Sequence, residues 1–135
     1  MRNIASLAVL PFENAGGDPE AEYLSDGIAE SLISSLSQLP QLKVMSRDSA
    51  FSYKGKEVRS NVVGQELGVR AVFKGAIRQI GDSFMVSAEL IDARDNRQVW
   101  GQQYIRKASD IFELQQEIAR DISDKLAGAR FCRQS

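Results

Sequence analysis

A chain of 135 residues with 43% hydrophobic and 26% charged side chains suits one globular domain with a core of its own. Seventeen basic against eighteen acidic side chains leave a net charge of −1, which supplies no field for nucleic acid or anionic lipid. With no histidine and one cysteine, Cys132, His-based acid–base and nucleophile chemistry, an internal disulfide and zinc or iron–sulfur centres drop out.

Ile4 to Phe12 reads as a first strand, its run Leu7-Ala8-Val9-Leu10 suited to burial on both faces. A turn from Glu13 to Gly17 follows. Asp18 is placed to cap a helix with Pro19 in its first turn, and Leu24, Ile28, Leu32, Leu36 and Leu39 recur as one apolar stripe. Gly27 inside that helix costs up to ~1 kcal/mol of propensity, which predicts close packing there or a kink. Pro40 ends the element.

Leu42 to Met45 is a short second strand. Ser46 caps one helical turn through Phe51, Tyr53 to Glu57 is a polar loop around Gly55, and Asn61 to Leu67 is a short helix stopped by Gly68. Then the period changes. Val69 to Ile80, Phe84 to Ile91 and Arg97 to Arg106 read as strands, joined by a two-residue turn at Gly81-Asp82 and a looser one from Ala93 to Asn96. Phe84, Val86, Ala88 and Leu90 share the face predicted to be buried. A final helix opens at Ser109-Asp110, with Asp110 and Glu113 spaced as a capping pair, and carries Ile111, Leu114, Ile118, Ile122 and Leu126 inward.

The order strand, helix, strand, short helices, three-strand meander, helix predicts a single α/β domain, a mixed sheet with helices packed on it. Residues 1–128 form that domain and 129–135 a polar tail. No window approaches a membrane span and no signal peptide opens the chain, so direct membrane insertion is not expected. Met1-Arg2-Asn3 runs almost directly into the first strand, as in a domain cut from a longer protein.

Chemistry has few places to sit. The turn from Asn14 through Gly16, Gly17 and Asp18 lies at a strand–turn–helix corner, where α/β proteins often hold anions. It lacks G-x-G-x-x-G and a following Lys-Ser/Thr, and Glu13, Asp18 and Glu20 would repel a phosphate. Its N–H groups and Asn14 suit a carboxylate, a peptide end or a partner's loop; the alternative is a plain capped turn. Ser46 and Arg47 follow the second strand, where Arg47 either reaches an anion at that first turn or sits in a surface ion pair.

Asp26 and Glu30 share a helix face and, without further oxygen ligands, read as a solvated face rather than a metal site. Phe84, Trp100 and Tyr104 read as core or covered sheet face, and Lys54, Lys56 and Arg59 are too sparse for nucleic acid. The meander's free edge is a further place for a partner's strand. The candidate binding residues are therefore Asn14, Gly16, Gly17, Asp18, Ser46 and Arg47, with no catalytic residue, metal or cofactor expected.

The phrases Ala8-Val-Leu-Pro-Phe-Glu-Asn14, Gly17-Asp-Pro-Glu20, Leu24-Ser-Asp-Gly-Ile-Ala-Glu30 and Leu42-Lys-Val-Met-Ser-Arg47 carry a resemblance. So do Gly64-Gln-Glu-Leu-Gly-Val69, Gly75-Ala-Ile-Arg78, Ala88-Glu-Leu-Ile-Asp92, Trp100 and Asp110-Ile-Phe-Glu-Leu-Gln-Gln-Glu-Ile118. From about Ile4 to Leu126 the chain resembles the TolB amino-terminal-like domain, related to FlgO-type domains. The resemblance implies a small α/β domain with no established catalytic role in bacterial multidomain proteins. Such domains often stand beside tetratricopeptide repeats, adenylate cyclase, kinase or winged-helix modules. The expected role is a non-enzymatic interaction or regulatory module of a signalling or envelope protein, bound to another protein or a neighbouring domain. Two alternatives stay open: a sensor of a small anionic metabolite or nucleotide, and an oligomerisation domain that pairs copies of the parent chain. The side of the membrane is left unknown.

Overall fold

The computed structural model describes the backbone of residues 6–40 and 42–134 and the side chains of those up to 126. Ile4, Cys132 and the polar end from Arg130 to Ser135 belong to expectations that lie outside the described residues or their side chains. The elements in chain order are β1 (Ser6–Val9), β2 (Glu13–Asn14), α1 (Pro19–Leu36), β3 (Lys43–Val44), α2 (Arg47–Phe51), α3 (Ser60–Leu67), β4 (Ala71–Ile80), β5 (Ser83–Asp92), β6 (Arg97–Lys107) and α4 (Ile111–Gln134). They form the expected α/β arrangement, a mixed six-stranded sheet in the order β3-β1-β4-β5-β6 with β2 also pairing β4.

Leu7 pairs in parallel with Val44 on one side and Ala71 on the other, so β1 is interior. Both of its faces are covered, which is why its apolar residues do not alternate. Leu7 and Val9 face the main core with α1 and α4, whereas Ala8 and Leu10 face a second core with Val63, Val72 and Ala93. From β4 onward the strands are antiparallel. Phe84, Val86, Ala88 and Leu90 are all buried, as their alternation predicts, and Ile111, Leu114, Ile118, Ile122 and Leu126 of α4 pack over that sheet face.

The first strand is shorter than expected, and part of the predicted turn is strand. Pro11 has no N–H to give a ladder. The chain leaves β4 after Leu10 donates to the Phe73 carbonyl at 3.0 Å, and rejoins it where Glu13 and Asn14 pair with Ala76 and Ile77. The Phe12 ring fills the space that a side chain at residue 75 would need. A Cβ on Gly75 would stand 2.5 Å from that ring.

Helix α1 begins as its sequence dictates, with the Asp18 carboxylate accepting from the amides of Glu20 at 2.8 Å and Ala21 at 3.4 Å. It ends at Leu36 rather than at Pro40; Leu39 sits in the following turn and still packs against the main core. Gly27 is neither a kink nor a close contact. The helix runs through it unbroken, and a Cβ there meets nothing within 4 Å. Gly27→Ala is therefore expected to raise stability by about 0.5–1 kcal/mol in a denaturant titration, since Ala loses less backbone entropy; a loss would contradict the open space.

The expected start of α4 also shifts. Ala108 to Asp110 form a 3₁₀ turn entered from Lys107 without a side-chain cap, and α4 follows directly. The strand β6 runs to Lys107, leaving no loop in which a capping box could form. No helix of the described residues is long and apolar enough to cross a membrane.

Candidate functional site

The chain passes from β1 to β3 on one side and then back to β4 on the other, so the carboxyl end of β1 is the point where the sheet's winding reverses. In open α/β sheets a crevice forms there, because the connections diverge to opposite sides. Here it is a cleft of about 790 Å³ lined by residues 10–14, 53–59 and 74–76 together with Glu22, Ser87 and Glu89.

One wall of the cleft is the loop after α2, and a charge clamp holds it. Helix α1 presents Glu22, Asp26 and Glu30 at successive turns of one face. Lys54 bridges Glu22 at 2.8 Å and Asp26 at 2.6 Å, and Arg47 pairs with Glu30 at 2.6 Å while its guanidinium lies 4.4 Å from the Phe51 ring centre. The expected solvated face is thus the docking surface for α2 and its loop. The other Asp26 oxygen, Oδ1, is buried without a partner among the described residues. At the loop's start the Tyr53 hydroxyl donates to Glu66 at 2.5 Å, and that carboxylate, aided by burial, pushes the phenol up to about 12.

Hydrogen bonds from Lys54 and then Asn14 hold the Glu22 carboxyl below its usual range, and those from Lys54 to Asp26 and Glu22 raise the lysine above its own. A lowered acid stabilises above its unfolded value and loses that contribution as pH falls through the folded value; a raised lysine stabilises below about 10.4 and loses it as pH rises. The clamp is complete between those limits. Lys54→Met is expected to lower Tm modestly at pH 7, by less than about 1 kcal/mol equivalent because the groups are partly exposed. The gap from wild type should narrow as pH falls through the depressed Glu22 value. A gap constant down to pH ~3 would contradict the clamp.

The six residues singled out from sequence occupy two separate places. Asn14 lines the cleft and braces the first turn, donating from Nδ2 to the Asp18 carbonyl at 2.7 Å and to Glu22 at 3.3 Å and accepting from the Gly17 amide at 3.0 Å. Gly17 takes φ +70°, Gly16 is exposed, and the Asp18 side chain is occupied as the helix cap. Ser46 caps α2, and Arg47 is held at Glu30, roughly 18 Å along the α1 axis from Asp18. The structure does not bring Arg47 to the first turn. The loop residues Lys54, Lys56 and Arg59 and the strand residue Lys74 line the cleft instead.

Away from the cleft, Tyr104 donates to Asp121 at 2.7 Å, tying β6 to α4. Burial and then that carboxylate raise its phenol well above the usual range. Trp100 packs at the edge of the main core, so the aromatic residues of the meander belong to the core and its cover. Buried Asp92 receives Arg94 and Arg70; burial opposes its charge, and the arginines outweigh that and lower its pKa. Among the described residues no group of His, Cys, Asp and Glu side chains is arranged to hold a metal ion.

Comparison with known proteins fits this architecture. A putative adenylate cyclase 3 from Rhizobium meliloti (strain 1021) is 42% identical over 121 residues, covering 90% of this chain but 21% of that protein. The chain therefore spans about a fifth of that relative's length. TolB from Acinetobacter baumannii aligns with a TM-score of 0.66 at 19% identity, over 94% of this chain and 29% of that one. The lipoprotein GNA1162 from Neisseria meningitidis aligns with a TM-score of 0.64 at 20% identity, over 90% of this chain and 99% of that one. These two show a TolB-like fold, as the sequence phrases imply. Residues 3–121 match a family model, and the chain belongs to that family, described as the second domain of HilA/YgeH-like transcriptional regulators.

Proposed function

We propose that this domain is a non-catalytic interaction and regulatory module of a larger bacterial signalling or envelope protein, and that it offers the cleft at the end of β1 to another protein or to a neighbouring domain. The observation that carries the reading is the company the domain keeps. Its family is a second domain of transcriptional regulators, and a relative that shares it is named a putative adenylate cyclase of which it makes up 21%. One domain beside two different outputs suits a part that connects or senses rather than one that performs either reaction. The kinship with FlgO-type domains and with chains bearing tetratricopeptide repeats belongs to the same proposal.

The test of the non-catalytic half is to supply the purified chain with ATP and magnesium and to measure cyclic AMP. No product above a protein-free blank is expected. Product that scales with the chain would place cyclase chemistry in this domain and overturn the reading.

A further inference from the structure

We propose that the cleft binds a carboxylate, held by the Lys74 ammonium and the Arg59 guanidinium. The inference rests on the interaction reading of the same cleft and adds the chemistry of what enters it.

The charges that build the cleft wall are already matched: Lys54 with Glu22 and Asp26, Arg47 with Glu30. Three lining cations are not. Among the described residues no carboxylate oxygen lies within 4.0 Å of Lys56, Arg59 or Lys74. Of these, Lys74 is the deepest. It is half-buried in the middle of β4, on the sheet side shared with Val72 and the second core. Its Nζ has a single acceptor among the described residues, the Val58 carbonyl at 3.4 Å, so two of its three N–H donors are uncommitted. Its cross-strand neighbour Glu89 is exposed and makes no ion pair with it.

A cation desolvated on one side and facing a polar cleft gains most from an anion that brings its own charge into contact. Arg59 follows Val58, the residue whose carbonyl Lys74 contacts, and lines the same cleft, so it is the nearest lining cation in the chain to the Lys74 contact. Of the acids of the cleft, Glu22 is matched by Lys54, and Glu13, Glu57 and Glu89 are exposed. They oppose a doubly charged phosphate more than a singly charged carboxylate, and they favour a ligand whose remainder is neutral or cationic. The volume of about 790 Å³ fits a small molecule or a short peptide segment. The carboxylate therefore comes either from a free organic acid or from an acidic side chain of a protein segment.

The experiment is an amide NMR titration of the whole chain with sodium butyrate, a singly charged free acid, with a capped Gly-Glu-Gly tripeptide and with inorganic phosphate. Saturable shifts are expected at Val58, Arg59 and Gly75 with one or both carboxylate probes. They should be at least about tenfold weaker in Lys74→Met, the loss expected for one charge-assisted contact. They should be unchanged in Arg78→Gln, an exposed cation on β4 outside the cleft. Butyrate alone identifies a free acid as the source; the tripeptide alone identifies a protein segment. The spectrum itself reports whether Lys74→Met is folded, and Arg59→Gln gives a second, exposed variant expected to weaken the same shifts. No saturable shift with either carboxylate, a response in both cleft variants as strong as in the wild type, or tighter binding of phosphate overturns the proposal. Loss of the proposal on these grounds leaves the interaction reading standing if a partner still crosslinks at the rim, so the two fail separately.

Discussion

Phe73→Ala is expected to cost about 3–5 kcal/mol of stability, the range for emptying a buried aromatic site. Phe73 is 0% exposed and lies in the middle of the sheet, paired with Val9 on one side and Leu90 on the other. Its ring meets that of Phe12 at a centroid distance of 5.7 Å and a tilt of 54°. Phe12 in turn lies over Gly75 and lines the cleft. Truncation at Phe73 therefore opens a void under the sheet and removes a support of the cleft floor. Denaturant unfolding followed by Trp100 fluorescence measures it, with Phe73→Leu as the milder comparison. A cost below about 1 kcal/mol would place Phe73 outside the core.

Gly64→Ala is expected to destabilise by about 2–3 kcal/mol, the cost of overpacking a tight contact. Helix propensity alone predicts the opposite sign, a gain of about 1 kcal/mol. Packing decides. A Cβ at residue 64 would overlap the methyl of buried Ala93 and stand 3.0 Å from the Val69 carbonyl oxygen, both part of the seam that seats α3 on the sheet. The neighbouring atoms belong to backbone and to a residue with no rotamer to change, so relief requires α3 to shift. Ala93→Gly removes the overlapping methyl. The double variant is therefore expected to recover more than about 1 kcal/mol relative to additivity. Additive losses would mean that the helix has room to move. Set beside Gly27→Ala, the same substitution changes sign according to what the new methyl meets.

Much of the architecture was legible because it is local. The spacing of Ile28, Leu32 and Leu36 on α1 and of Leu114, Ile118 and Ile122 on α4 reports one buried face each. The alternation along β5 reports another, and Asp18 and Gly68 mark the helix ends they cap. What the pattern does not carry is pairing across sequence distance. The two residues of β2 are too few to show a period, and their place depends on β4 more than 60 residues later. The cleft was half visible. Asn14 marks its corner, and of the two places open to Arg47 it takes the surface ion pair, with Glu30; chain order does not show which, because it does not show that α2 docks on that face of α1. One signal was present: α1 has 18 residues, acidic side chains at three successive turns and no Lys or Arg, which calls for cations from elsewhere. Lys54, 28 residues beyond Asp26, supplies one of them.

In the proposed function this module meets its partner at the cleft at the end of β1. The most direct test places a photo-crosslinking residue at position 57, on the exposed rim, and at position 116, on the exposed face of α4, and illuminates living cells that express each variant. A discrete protein adduct is expected from position 57 and none from position 116. No adduct at the rim, or the same adduct from both positions, would contradict it.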